Sequence, residues 1–300
     1  MSPPRILVIG QGSIGRRHAT NLRALGADVT VVDVEFDGRV PPGFGGVVVA
    51  SPTVLHAEHA AAALATGAAV FVEKPMASDA AAAFELADSA GDRLMVGYNL
   101  RFHAPLQRVA ALLRGGRAGT PHSYRFWFGQ WLPDWRPTVD YRQSYSARAD
   151  LGGGILADAI HELDLAVWMV GEPLEVVGAV VGSVGPLEID VEDMVRAVLR
   201  TAAGVPVTIE LDYLARQYRR GVEVIGSEAT VGYDWSTKEV TVRSSVGTTT
   251  EVFHDPLDDA YVAEMASFLG LVASGVHPGV NGGGSAVPSL VLADAIRASA

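Results

Sequence analysis

Arg5-Ile6-Leu7-Val8-Ile9-Gly10-Gln11-Gly12-Ser13-Ile14-Gly15 decides the fold. An apolar run of strand character passes straight into G-x-G-x-x-G, and the helix that follows runs through Leu22 and Leu25 and stops at Gly26. Gly10 permits a tight turn, and Gly12 lets the backbone approach a pyrophosphate. Gly15 allows close helix–strand packing, while Ser13 and Ile14 open a helix whose N-terminus faces the phosphates. The next strand, Val29-Thr30-Val31-Val32, ends in Asp33. An acid there accepts hydrogen bonds from the adenosine ribose and repels a 2′-phosphate, so the expected dinucleotide is NAD. Arg16 and Arg17 leave NADP open, since either could be recruited to such a phosphate.

Outward from this unit the chain alternates strand and helix. Residues 34–46 are too short and too rich in Pro and Gly for a helix and a strand, so one βα unit looks trimmed. Val47 to Ala50 is the next strand, followed by Ser51-Pro52-Thr53 with His56 and an alanine-rich helix ending near Thr66. Ala68 to Val72 then ends abruptly in Glu73-Lys74-Pro75. Proline has no N–H to continue a central strand, so the chain turns there and leaves Lys74 at the carboxyl edge of the sheet, where open α/β sheets bind ligands. A helix near 80–90 and a strand at 94–97 lead to Tyr98-Asn99-Leu100-Arg101-Phe102-His103, a further polar cluster at the same edge.

The texture changes after Gly116. Tyr124, Phe126 and Phe128 alternate as in a strand. Gln130 to Tyr145 has no sustained periodicity but carries Trp131, Trp135, Arg136, Tyr141 and Arg142, faces and guanidinium groups that suit a sugar or an anionic ligand. Gly152-Gly153-Gly154 precedes a helix expected to run from Ile155 to about Val170. Asp158 and His161 would share one face of it, an arrangement in which a carboxylate supports an imidazole in acid–base work. Beyond Gly171 strands are expected at 176–184, 194–201, 205–214, 221–225, 230–233 and 240–243, in a largely antiparallel open sheet. Helices over 261–273 and 288–300 flank a flexible Asn281-Gly282-Gly283-Gly284 loop. The expected fold is therefore α/β. Residues 1–118 form a Rossmann-type dinucleotide domain, and 119–300 an α+β domain for substrate binding and dimerisation whose last helix packs back on the first.

Composition narrows the function. The 300 residues contain no cysteine, so neither disulfides nor thiolate metal sites are available, and no metal is expected. A formal charge of −11 argues against a nucleic-acid binder. No charged leader with an apolar core and no membrane-length apolar run occurs, so a soluble cytoplasmic protein without a membrane partner is expected.

Taken together, Gly10 to His18, Ser51-Pro52-Thr53 with His56, Glu73-Lys74-Pro75, and Gly153-Gly154 followed by Asp158, His161 and Asp164 make the chain resemble the Gfo/Idh/MocA oxidoreductases over nearly its whole length. These are dinucleotide-dependent sugar and polyol dehydrogenases. The resemblance implies that Lys74 and His161 are the catalytic pair supported by Asp158, that Lys74-Pro75 is a cis peptide, and that the second sheet forms a homodimer or homotetramer. The cofactor contacts would come from Gly10, Gly12, Ser13, Ile14, Gly15, Asp33, Ser51, Pro52, Thr53, His56, Glu73 and Lys74. Asp158 stands three residues before the histidine instead of the common four, resembling a D-x-x-H-E subgroup. Substrate contacts are expected from Tyr98, Asn99, Arg101, Trp131, Arg136, Tyr141, Asp158 and His161. The implied reaction is hydride transfer between a nicotinamide and a secondary hydroxyl or ketone of a sugar, sugar acid or nucleotide sugar. The alternatives are an NAD-retaining lyase, epimerase or glycosidase and a non-enzymatic dinucleotide sensor.

Overall fold

The computed structural model describes residues 2–33, 36–254, 257–277 and 279–300. Two units divide the chain: Met1–Phe102 with Pro256–Leu290, and His103–Asp255 with Val291–Ala300.

The first unit begins β1 (Arg5–Ile9), α1 (Ser13–Ala24), β2 (Asp28–Val32), β3 (Gly46–Val49), α2 (His56–Ala65), β4 (Ala69–Val72), α3 (Ala80–Ala90) and β5 (Leu94–Val96). All strands are parallel, in the order β2-β1-β3-β4-β5. Such strands are covered on both faces, which is why β1, β3 and β4 read as continuous apolar runs. No helix intervenes between β2 and β3 among the described residues, so the shortened segment does remove a crossover helix; its Val34 and Glu35 lie outside the described residues.

The second unit opens with α4 (Ala104–Arg114), β6 (Pro121–Gly129), α5 (Ile155–Asp158) and α6 (Ile160–Val170). It continues through β7 (Leu174–Gly182), β8 (Met194–Thr201), β9 (Pro206–Asp212), β10 (Arg219–Gly226), β11 (Ala229–Asp234), β12 (Glu239–Ser244) and β13 (Gly247–Val252). Its sheet runs β13-β12-β11-β10-β6-β9-β8-β7, antiparallel throughout except for the parallel β6–β9 pair. Helices α4, α5 and α6 pack on one face. Alternation along β8 turns Val195, Ala197 and Leu199 inward and Arg196, Val198 and Arg200 outward.

α7 (Leu257–Ser274) belongs to the first unit, while α8 (Gly283–Ala298) contributes its residues to Leu290 there and the rest to the second. His18, Phe71, Met265, Phe268 and Leu271 show how tightly α1 and α7 cover one face of the parallel sheet.

Several expectations change. The unit boundary falls at Phe102 and not at residue 118, because α4 packs against β11 and β12. The expected continuous helix from Ile155 is broken at Ala159, where ψ is +25° and the α-helical bond pattern restarts, so Asp158 and His161 do not share one regular helix face. Strand β13 was not anticipated; Val246-Gly247-Thr248-Thr249-Thr250 carries no apolar alternation because the edge strand is exposed along its length. Asn281 to Gly284 is not a loose loop. Asn281 is fully buried, its Nδ2 donates to the Tyr98 carbonyl at 2.9 Å, and its own carbonyl accepts the Val96 N–H at 2.8 Å.

Candidate functional site

In the first unit, five parallel strands deliver their carboxyl ends to one edge, and the sequence-selected residues follow those ends in order. Backbone bonds lock the edge: Gly10 N–H to Val32, Ala50 N–H to Ile9, Glu73 N–H to Val49 and Gly97 N–H to Val72, at 2.8–2.9 Å. Gly10, at φ +109°, and Gly15 are required by close approach. A Cβ on Gly10 would sit 2.4 Å from the Ala50 carbonyl oxygen, and one on Gly15 2.1 Å from that of Gly10. A Cβ on Gly12, by contrast, would meet no atom within 4 Å, so the backbone at the start of α1 faces open space. This is the cradle a dinucleotide pyrophosphate needs, and the residues present fit NAD.

Asp33 leaves β2 beside that cradle, and its Oδ1 accepts the Gln11 N–H at 3.0 Å. Neither neighbouring arginine answers it with a 2′-phosphate pocket. Arg16 donates to the Gln11 carbonyl, and Arg17 is ion-paired to Asp258 and lies over the Tyr261 ring.

The turn after β4 is held from two sides. Lys74-Pro75 is cis, as expected. His56 Nδ1 lies 2.7 Å from the Pro75 carbonyl oxygen and Nε2 2.8 Å from that of Ser51, so one imidazole joins the loop after β3 to the turn after β4. Burial lowers the His56 pKa, against the two carbonyls and Glu73, which raise it. The Ser51 hydroxyl contacts His59 Nδ1 at 3.0 Å, and Thr53 is buried in the turn after Pro52. Glu73 is buried, with Oε1 2.6 Å from His18 Nε2 and Oε2 accepting the Lys74 N–H at 3.1 Å. Burial pushes the Glu73 carboxyl up, but the hydrogen bond and charge of His18, with Lys74 and His56, outweigh it and hold the group below its ordinary value. Glu73 thereby shapes the backbone that presents the partly exposed Lys74.

Two expected substrate contacts become structural. Tyr98 is fully buried with its hydroxyl 2.6 Å from Ser289 Oγ, and Arg101 is buried against Ser285. Both tie the turn after β5 to the start of α8, because an aromatic and a guanidinium satisfy backbone and hydroxyl groups there without solvent. Asn99 is buried in the same turn, and among the described residues its Nδ2 has no hydrogen-bond partner.

In the second unit Asp158 and Trp135 meet Tyr213, which the sequence reading passed over, as it did Glu192. Tyr213, one residue beyond β9, donates its hydroxyl to Asp158 Oδ2 at 2.6 Å and lies edge-on to Trp135 at 5.4 Å between ring centroids. Glu192 accepts the Leu156 N–H at 3.1 Å and holds the first turn of α5. Glu162 and Arg220, both buried, pair at 2.6 Å next to His161. The strand pattern gave no reason to single out Tyr213 or Glu192, whose partners are distant in sequence. Arg136 is exposed, Tyr141 accepts the Glu188 N–H through its hydroxyl, and Arg216 lies 3.6 Å over the Trp131 ring. Among the described residues no cluster of His, Asp and Glu could hold a metal ion, and no helix is long and apolar enough to cross a membrane.

Comparison with known proteins matches residues 42–98 to the oxidoreductase family model with an NAD-binding Rossmann fold, and residues 106–232 to the GFO/IDH/MocA C-terminal domain. The inositol 2-dehydrogenase of Acidothermus cellulolyticus is 31% identical over 260 residues, covering 76% of this chain and 72% of that protein. The crystal structure of GenD2 from gentamicin A biosynthesis, in complex with NAD, aligns with TM-score 0.81 at 25% identity, covering 100% of this chain and 94% of the other. Levoglucosan dehydrogenase in complex with NADH shares the fold, with TM-score 0.86 at 21% identity over 99% of this chain and 96% of that one.

Proposed function

This chain belongs to the Gfo/Idh/MocA oxidoreductases, and from that premise we propose that it oxidises a secondary ring hydroxyl of a cyclic polyol or sugar with NAD, using Lys74 and His161 as its proton-transfer pair. It is an NAD(P)-dependent dehydrogenase of the sugar and polyol class, as its relatives are named, and the cofactor-cycling and sensor alternatives have no observation of their own. The observation that supports the role of Lys74 is the braced turn after β4, where His56 on Pro75 and His18 on Glu73 fix the backbone on either side of it.

Held by the Gly10–Gly15 cradle and Asp33, NAD would supply the hydride acceptor for oxidation of the carbinol carbon to a ketone. His161 removes the hydroxyl proton, Lys74 binds the same oxygen and shares that transfer, and Asp158 supports His161. Positioned acid–base groups of this kind contribute about 10²- to 10⁴-fold. Asn99, Trp131, Arg136 and Tyr141 are proposed to contact substrate. The outward face of the second sheet, with Val180 and Val198 exposed beside the Arg125–Glu210 and Arg200–Glu175 pairs, is proposed as the surface of a homodimer or homotetramer.

The test is fluorescence titration of NADH and NADPH, followed by NAD reduction with myo-inositol and a panel of sugars, for wild type, Lys74→Ala and His161→Ala. Turnover lost in both variants with NADH binding retained supports the reading. Undiminished turnover in either variant removes that residue from the pair.

A further inference from the structure

We propose that Tyr213 is a positioning residue that fixes the Asp158 carboxylate and couples it to the seating of the aromatic loop around Trp131 and Trp135. The proposal rests on the role given to Asp158 above. Asp158 closes the short α5, immediately before the break at Ala159, so regular helix geometry does not define where its side chain goes relative to His161. Tyr213 supplies that definition. It is fully buried, its backbone N–H donates to the Asp193 carbonyl at 2.9 Å, and its own carbonyl accepts the Leu132 N–H at 3.0 Å.

With the main chain pinned on both sides and the ring edge-on to Trp135, a phenol with two side-chain torsions has little freedom, and its hydroxyl reaches Asp158 Oδ2 at 2.6 Å. The groups facing that hydroxyl are Asp158, the Ser146 carbonyl at 3.4 Å and the charge of Glu192. Burial, then Asp158, push the phenol well above its ordinary value, so it remains a donor at neutral pH. The same residue therefore holds the aromatic loop by its backbone and ring and the carboxylate by its hydroxyl. A displacement of the loop is transmitted to Asp158 through one rigid side chain, and Tyr213 does this without touching the reacting atoms.

Tyr213→Phe keeps the ring and removes only the hydroxyl. With myo-inositol and NAD, it is expected to lower kcat by about 10- to 100-fold, the range typical of groups that orient a functional side chain. The Kd for NADH should stay unchanged and melting cooperative. The double variant Tyr213→Phe/Asp158→Asn should be no slower than Asp158→Asn alone, as for two groups acting as one unit. A Tyr213→Phe rate within about twofold of wild type, or losses that simply multiply in the double variant, would overturn the proposal. If Tyr213→Phe is impaired while Asp158→Asn and His161→Ala are not, the functional reading above fails instead. A readout independent of turnover is the near-ultraviolet difference spectrum between wild type and Asp158→Asn. It should show a blue shift of a tyrosine band that disappears in the Tyr213→Phe background, and absence of the shift overturns the contact and the proposal with it.

Discussion

His18 and Glu73, from α1 and the end of β4, meet at 2.6 Å between Nε2 and Oε1 in a site where the histidine has no solvent exposure at all. Removing one partner of such a hydrogen bond leaves the other's polar atom buried and unsatisfied, which costs about 1–3 kcal/mol. His18→Leu is therefore expected to lose that much in urea denaturation and to lower kcat with whichever sugar or polyol the wild type oxidises, since Glu73 also accepts the Lys74 N–H. A loss below about 1 kcal/mol would mean that the pair is a spectator.

Glu264 on α7 shows the opposite use of a carboxyl. It is fully buried, neither oxygen has a hydrogen-bond partner among the described residues, and burial followed by the charge of Glu73 pushes its pKa well above the ordinary value. The folded state thus holds a proton that the unfolded chain releases near pH 4.5, so stability present below that pH is lost as pH rises toward the folded value. Glu264→Met removes the titration and should melt higher than wild type at pH 8, the two approaching each other near pH 4. Parallel melting curves across that range would show that Glu264 is not held neutral.

Gly12 and Gly15 separate binding from folding. Gly12 has φ −59° and open space around its would-be Cβ, so Gly12→Ala should melt like wild type yet bind NADH at least about tenfold more weakly, since a methyl group occupies the approach to the pyrophosphate. Gly15→Ala meets the Gly10 carbonyl and should lose stability before binding can be assessed. Unchanged NADH affinity in Gly12→Ala would place the dinucleotide elsewhere.

His103 stacks on Trp235 at 4.7 Å and 6°, and burial, with Arg220, lowers its pKa to about 4. The unfolded chain binds a proton near pH 6.5 that the folded protein refuses, so stability contributed above pH 6.5 is lost as pH falls toward 4. His103→Phe keeps the stack without the titration, and its urea midpoint should change less between pH 7 and pH 4 than that of wild type. An equal acid sensitivity would shift the cause to another group.

Asp33→Ser should narrow the preference for NADH over NADPH by about tenfold or more, the effect of about 1.4 kcal/mol of removed charge repulsion. Arg17 is held by Asp258 and so does not supply a positive charge to reverse the preference fully. A Kd ratio equal to that of wild type would show that Asp33 does not face the ribose.

The sequence by itself determined the parallel sheet, the glycine cradle and the turn at Lys74-Pro75. Each is written in local chemistry: apolar runs covered on both faces, glycines where a Cβ would strike a carbonyl, a proline that cannot extend a strand. It also determined that the second half would be a mostly antiparallel sheet. Only tertiary structure decided that Tyr98 and Arg101 are core fasteners for the start of α8, that α7 covers the first sheet, that α5 and α6 break between Asp158 and His161, and that Tyr213 holds Asp158. Those partners lie far apart along the chain. Hydrophobic period and turn chemistry report on neighbours within a few residues, whereas a buried phenol and the carboxylate it serves are joined only once the sheet has folded.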